Sequence, residues 1–112
     1  MLFRSIRDLA PSELVRWRAD AARRAPAVVD VREPWELERC ALSDVIHVPM
    51  HELPARLGEL PRDRELVVVC HHGVRSRLAA TFLARSGFAQ VWNLAGGMAA
   101  WAEDVDPAMP RY

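Results

Sequence analysis

The apolar run Leu66–Cys70 (LVVVC) constrains the fold of this chain more than any other segment. A run without polar residues needs cover on both faces, which strands in the middle of a parallel α/β sheet receive from flanking helices. Ala27–Val31 (AVVDV) has a similar character, and stretches with helical spacing separate such runs along the chain. This alternation predicts an α/β fold with a central, mainly parallel sheet of about five strands flanked by helices.

The same periodicities predict the remaining elements. Further strands are predicted at Phe3–Ile6, Val45–Val48 and Val91–Leu94. Helical segments are predicted from the N-cap Ser12 to about Arg24, at Pro34–Arg39 as a turn or short helix, along Leu53–Leu60, at about Arg75–Ser86, and after Gly96 and Gly97. The segment Arg75–Ser86 is apolar around most of its circumference, so we expect its middle, including Leu78 and Phe82, to be buried.

Length and composition narrow the class of protein. A chain of 112 residues predicts one domain spanning residues 1–112. Hydrophobic residues make up 51% of the chain and charged residues 27%, so we expect a folded rather than a disordered protein. The 15 basic residues balance the 15 acidic ones, which argues against a nucleic-acid partner. Every basic residue is arginine, and this excludes chemistry that needs a lysine Schiff base.

Cysteine count and hydropathy bear on compartment and cofactor. Two cysteines, Cys40 and Cys70, make neither a disulfide framework nor a four-cysteine zinc site, and we expect no metal and no other cofactor. The segment Met1–Leu14 lacks the apolar stretch of a secretory signal. No run approaches the roughly 20 apolar residues of a membrane span. We therefore expect a cytoplasmic protein without membrane contact.

The segment from Cys70 to Ser76 (CHHGVRS) concentrates the chemistry of this sequence. Ligands bind at the carboxyl ends of the strands in open parallel α/β sheets, and Cys70 ends the predicted central strand. Gly73 permits the positive φ of a tight loop. Successive backbone N–H groups, the helix start that follows and the guanidinium of Arg75 all favour a thiolate over a thiol at Cys70. The same groups form a binding site for a small anion.

Three motifs resemble those of single-domain rhodaneses, the thiosulfate and persulfide sulfurtransferases. C-x-x-G-x-R-S is Cys70–Ser76, D-V-R-E-x-x-E is Asp30–Glu36, and L-x-G-G-h-x-x-W, where h is apolar, is Leu94–Trp101. The resemblance covers almost the whole chain and implies a rhodanese-like fold. It also implies that Cys70 takes a sulfane sulfur from a small anionic donor, thiosulfate or a persulfide, and passes it to cyanide, a thiol or a protein cysteine.

Two other functions remain open beside sulfur transfer. One is a phosphatase or arsenate reductase on the same scaffold, but the related loop of those enzymes is one residue longer than the six residues Cys70–Arg75. The other is a non-catalytic binding or regulatory module. Inactive relatives usually lose the cysteine, and Cys70 is present here, so this interpretation is the less favoured one.

Each residue of the loop receives a predicted role. Cys70 is the nucleophile, and Arg75 either binds the anion or fixes the loop through hydrogen bonds to its carbonyl groups. Ser76 either donates to the thiolate or caps the helix. His71 and His72 should point outward from the loop, and we expect them to shape the rim of the pocket rather than to act as bases. Val74 completes the anion-binding loop.

Two regions outside the loop complete the sequence interpretation. Asp30 and Arg32 end a strand that should lie beside that of Cys70, and we expect them to form an ion pair that braces the neighbouring loop. Cys40 is more simply a small buried side chain than a resolving thiol. The stretch Cys40–Pro49 departs from the family pattern G-H-I-x-G-A-x-N-I-P, because both glycines and the histidine are absent. The turn in this stretch is therefore left open.

Overall fold

The computed structural model describes residues 6–112, which contain a five-stranded, wholly parallel sheet. Its strands are β1 (Arg7–Leu9), β2 (Ala27–Asp30), β3 (Val45–His47), β4 (Leu66–Val69) and β5 (Val91–Leu94). Their order is β1-β5-β4-β2-β3, so β4 lies in the middle of the sheet. The predicted α/β fold with a central Leu66–Cys70 strand is confirmed. The strand predicted at Phe3–Ile6 lies outside the described residues apart from Ile6, which precedes β1.

Helices cover both faces of this sheet. They are α1 (Pro11–Ala19), α2 (Pro34–Arg39), α3 (Val74–Arg85) and α4 (Gly97–Asp104), with a 3₁₀ segment at Met50–Glu59. On one face, Leu66 and Val68 pack with residues of α3 and the 3₁₀ segment. On the other, Val67 and Val69 pack with residues of α1 and α4. All four of these β4 side chains are fully buried, because alternate strand residues point to opposite faces.

Helix α1 is shorter than its pattern predicts, and its N-cap is Ala10 rather than Ser12. Pro11 occupies the first helical position, where its fixed φ suits the helix and its missing N–H costs nothing. The helix stops at Ala19 because the Asp20 carboxylate accepts the backbone N–H of Ala22 at 2.9 Å, forming a turn.

One prediction about packing is wrong, and one predicted helical segment differs in type. The middle of α3 is buried only where Ala79, Ala80 and Leu83 face the sheet, whereas Leu78 is 61% exposed and Phe82 36% exposed. Small side chains let this helix lie close to the sheet, and no element within residues 6–112 covers its outer face. The stripe at Leu53–Leu60 forms 3₁₀ turns rather than an α-helix, with Pro54 inside the segment and a break at Arg56.

The turn in the stretch Cys40–Pro49 forms around Asp44, whose φ is +56°. Aspartate tolerates this left-handed conformation better than most residues other than glycine, so it can stand where the family pattern has glycine. The Arg18 side chain donates to the Ser43 carbonyl at 2.7 Å and holds the turn against α1. Strand β3 therefore still pairs with β2 despite the departure.

None of the helices within residues 6–112 has the length and apolar character needed to span a membrane. Nor does this part of the chain hold a group of three or more His, Cys, Asp or Glu side chains that could bind a metal ion.

Candidate active site

The loop between β4 and α3 places Cys70 at the carboxyl end of the central strand. Cys70 is 1% exposed, and its Sγ accepts hydrogen bonds from the Gly73 N–H at 3.0 Å and the Ser76 hydroxyl at 3.2 Å. Gly73 is the N-cap of α3 with φ +93°, a conformation that side-chain-bearing residues rarely adopt. Two donors and the N-terminus of α3 therefore converge on one sulfur atom, and each stabilises a negative charge there.

The two alternatives for Ser76 differ in geometry. A capping serine would precede the helix, but Ser76 lies within the first turn of α3, and the helix has no side-chain cap. The fully buried hydroxyl of Ser76 instead faces Cys70 Sγ and the side chain of Asn93. The arrangement places the hydroxyl where it can donate to a thiolate.

The carbonyl groups of the loop are held by α4 and not by Arg75. Met98 N–H donates to the Cys70 carbonyl at 2.9 Å, and Ala99 N–H donates to the His71 carbonyl at 3.0 Å. Such close approach depends on Gly97, because a Cβ there would lie 2.6 Å from the His71 carbonyl oxygen and closer still to that of Cys70. Two adjacent glycines at the start of a helix are the sequence signal for this contact. The glycines were noted from the sequence, but the contact was not predicted.

Arg75 forms an ion pair with Glu36 of α2. Its two terminal nitrogens donate to the two carboxylate oxygens at 2.7 Å each, a bidentate geometry that arginine favours. Within the described chain, this pair replaces the expected bonds from Arg75 to loop carbonyls. The Glu36 side chain is almost fully buried, while that of Arg75 remains 39% exposed.

The charges of this pair stabilise each other. The hydrogen bonds from Arg75 lower the pKa of Glu36 to about 2, against the effect of burial. Those same bonds raise the pKa of Arg75 above its ordinary value. Glu36 also accepts a hydrogen bond from the Tyr112 hydroxyl at 3.0 Å, and burial raises the pKa of that phenol to about 12. Tyr112 therefore keeps its proton at neutral pH and remains a donor.

Asp30 and Arg32 form the expected ion pair, at 2.8 Å, and both side chains are fully buried. Arg32 also donates to the Cys40 carbonyl at 2.8 Å and to the Tyr112 hydroxyl at 2.9 Å. The pair thus braces the end of α2, which carries Glu36, the partner of Arg75, and the C-terminal segment, whose Tyr112 donates to Glu36. Cys40 is half-buried, with its Sγ 3.9 Å from a terminal nitrogen of Arg32.

An aromatic row lies beside the loop. The ring centroid of His71 is 4.0 Å from that of Tyr112 and 4.1 Å from that of His72. Burial lowers the pKa of His71, which favours the neutral imidazole at neutral pH. His72 and Val74 are exposed, consistent with positions at the rim. The tail that carries Tyr112 gave no sequence signal for this placement.

We expect Glu36→Gln to destabilise the protein at neutral pH, and the loss to shrink in acid. A carboxylate with a lowered pKa stabilises the fold above its unfolded-state pKa of 4.5 and loses that contribution as the pH falls towards about 2. Urea unfolding at pH 7 and pH 3 measures the difference, with Glu103→Gln at an exposed position of α4 as the control. A difference in unfolding free energy that stays constant with pH would contradict this role for the Glu36 charge.

The fold and this loop together define a rhodanese-like domain. The family model of the rhodanese-like domain matches residues 11–104, and the chain belongs to this family, as its motifs predict. It is 41% identical over 75 residues to a sulfurtransferase of Allochromatium vinosum, which covers 67% of this chain and 70% of that protein.

Two further comparisons agree with this assignment. The thiosulfate sulfurtransferase GlpE of Pseudomonas syringae pv. syringae is 39% identical over 85 residues, covering 75% of this chain and 80% of GlpE. The solved structure of a rhodanese-related protein from Thermoplasma volcanium matches with a TM-score of 0.79 at 32% identity, covering 88% of this chain and 93% of that one. These relatives support a sulfurtransferase activity, and hence a sulfur donor and a sulfur acceptor as partners.

Proposed function

We propose that this sulfurtransferase carries a sulfane sulfur as a persulfide on Cys70, with thiosulfate or a small persulfide as donor. The observation that carries the proposal is the convergence of the Gly73 N–H, the Ser76 hydroxyl and the N-terminus of α3 on Cys70 Sγ. This arrangement supports a nucleophilic thiolate in a site built for an anion. The name of GlpE as a thiosulfate sulfurtransferase supports thiosulfate as the donor.

The reaction has two displacement steps. The Cys70 thiolate attacks the outer sulfur of thiosulfate, a new S–S bond forms, and sulfite leaves with the electron pair of the broken S–S bond. The negative charge of the thiolate then lies on the outer sulfur of the persulfide. An acceptor such as cyanide or a thiolate attacks that sulfur, and Cys70 leaves as a thiolate. Neither step needs a strong base, which fits His71 and His72 as rim residues.

Arg75 serves the reaction in two ways. Its bond to Glu36 ties the start of α3 to α2 and keeps the loop in place. Its partly exposed side chain keeps N–H donors that Glu36 does not use, and these and its positive charge serve the sulfonate end of thiosulfate or the terminal sulfur of the persulfide. The free thiols further support a reducing compartment, and we place the protein in the cytoplasm.

Intact-mass spectrometry tests the proposed function directly. Incubation with thiosulfate, and separately with a small persulfide, should add about 32 Da to the protein, and cyanide should remove it. Release of phenol from an aryl phosphate without a mass shift would instead identify a phosphatase. If the protein shows no mass shift and turns over neither substrate, the result indicates a binding module.

Replacement of Arg75 separates charge from geometry. Lysine keeps the positive charge but cannot make the two parallel hydrogen bonds to Glu36, so we expect Arg75→Lys to behave much like Arg75→Ala. Both should lower kcat/KM for thiosulfate by about 100-fold, because small displacements of a positioned group cost this much. Arg85→Lys, at the far end of α3, is the control.

The choice of donor adds a second comparison at Arg75. A dianionic donor needs the stronger field, so thiosulfate should lose more than a singly charged persulfide in Arg75→Ala, which removes the positive charge. Near-normal rates in Arg75→Lys would show that charge alone suffices, and unchanged rates in Arg75→Ala would remove the residue from the site.

A further inference from the structure

Asn93 is a buried polar residue of β5 whose amide has a defined orientation. Its Nδ2 donates to Asp8 Oδ1 at 3.0 Å and to the Gly73 carbonyl at 3.2 Å, and the residue is 2% exposed. Because both N–H groups of the amide have acceptors, the oxygen is the atom that must face Ser76. Asn93 Oδ1 lies 2.5 Å from Ser76 Oγ.

Ser76 therefore faces two acceptors with a single hydroxyl proton. Its Oγ lies 3.2 Å from Cys70 Sγ and 2.5 Å from Asn93 Oδ1. A hydroxyl donates one hydrogen bond at full strength, and a hydrogen bond to an ionised acceptor is roughly twice as strong as one to a neutral acceptor. The direction of this proton must therefore depend on whether Sγ carries a negative charge.

We propose that Asn93 is a positioning residue for Cys70. Its Oδ1 competes with Cys70 Sγ for the Ser76 proton. With a thiolate at Cys70, the Ser76 hydroxyl donates to Sγ and Asn93 Oδ1 loses its donor. Once the charge has left Sγ, the hydroxyl turns to Asn93. The turn is a rotation about the Cβ–Oγ bond of Ser76, so no bond is made or broken and the proton stays on Oγ.

The competition has a consequence for sulfur loading, and this part rests on the proposed function. Loading moves the negative charge from Sγ to the outer sulfur, so Sγ no longer needs the Ser76 proton. Asn93 then supplies an acceptor for it inside a site where an unsatisfied polar group is costly. Asn93 therefore favours the persulfide over the free thiolate, and it opposes ionisation of the free thiol.

The elements around Cys70 carry other titratable or charged groups. Arg75 interacts with Cys70 electrostatically, and the others include His71 and His72 of the loop, Arg77 of α3, Glu36 of α2, Asp30 of β2 with Arg32 just after it, and Asp8 of β1. All of these remain in the variants of Ser76 and Asn93. Their effects therefore cancel when the two substitutions are compared singly and together.

The test is the pH dependence of iodoacetamide alkylation in a Cys40→Ser background, where Cys70 is the one thiol. Asn93→Ala should move the alkylation midpoint to lower pH by about half to one unit, because Ser76 then donates to the thiolate unopposed. Ser76→Ala should move it to higher pH. In the Ser76→Ala background, Asn93→Ala should produce no further shift. Asn93→Leu, which keeps the branched shape of the side chain and removes the acceptor, serves if Asn93→Ala does not fold.

A purely structural role for Asn93 gives a different pattern. The amide also holds the Gly73 carbonyl, so loss of loop support would shift the midpoint equally with and without Ser76. That result, or a shift to higher pH in Asn93→Ala, would overturn the proposal.

Sulfur loading provides a second measurement. At a fixed ratio of thiosulfate to sulfite, the ratio of sulfur-loaded to free protein should fall by about three- to tenfold in Asn93→Ala. An unchanged ratio of loaded to free protein would overturn the link to loading. If the unsubstituted protein takes up no sulfur, the proposed function fails, whereas the alkylation experiment still decides whether Asn93 competes for the Ser76 proton.

Discussion

Cys70→Ser is expected to abolish both the mass shift of about 32 Da and sulfur transfer to cyanide. A serine hydroxyl stays protonated at neutral pH and is a far weaker nucleophile than a thiolate. Loss of a covalent nucleophile commonly lowers turnover by on the order of 1,000-fold or more. Because serine is close in size to cysteine and can accept the same hydrogen bonds from Gly73 and Ser76, the fold should persist.

Cys40→Ser is the matched control for this experiment. Cys40 is the other thiol of the chain, and it lies just after α2, next to Arg32. Its replacement should leave both the mass shift and turnover unchanged. Peptide mapping that finds the added sulfur on Cys40, or a persistent shift in Cys70→Ser, would show that the loop is not the site of sulfur transfer.

Gly97→Ala has the second largest expected effect, because this glycine allows α4 to pack closely against the loop between β4 and α3. The added Cβ would lie 2.6 Å from the His71 carbonyl oxygen and nearer still to that of Cys70, at a residue whose φ is +57°. Both the left-handed backbone and the steric conflict oppose alanine, so we expect a loss of roughly 3 kcal/mol in the free energy of unfolding. The displaced loop should lower kcat/KM by about 100-fold.

Gly58→Ala is the appropriate comparison for Gly97→Ala. A Cβ at Gly58 would have no heavy atom within 4 Å, and the residue lies in the exposed part of the 3₁₀ segment. Its unfolding free energy should change by no more than about 0.5 kcal/mol, with activity unchanged. Urea unfolding and steady-state kinetics on both variants provide the measurement. Native-like stability and activity in Gly97→Ala would show that the α4 contact does not position the loop.

Much of the fold could be predicted because its signals are local. The apolar run Leu66–Cys70 indicates a strand with both faces covered, and the structure buries it at the centre of the sheet. Gly73 followed by a helical pattern predicts a tight loop at the strand end. The structure differs where a local pattern was extended to tertiary packing. Leu78 was expected to be buried but is exposed on the outer face of α3, because apolar residues on a helix do not reveal whether a neighbouring element covers them.

The contacts that complete the site were decided by tertiary structure. Glu36 lies 39 positions from Arg75 along the chain, and Asn93 lies 17 positions from Ser76. They meet because the sheet order places β2 and β5 on either side of β4. The periodicity of a segment reports which of its own faces is buried, but it carries no information about which strand lies next to it. The sequence alone thus determined the strand and the loop and predicted Cys70 as the nucleophile, whereas strand order selected the residues that contact the loop.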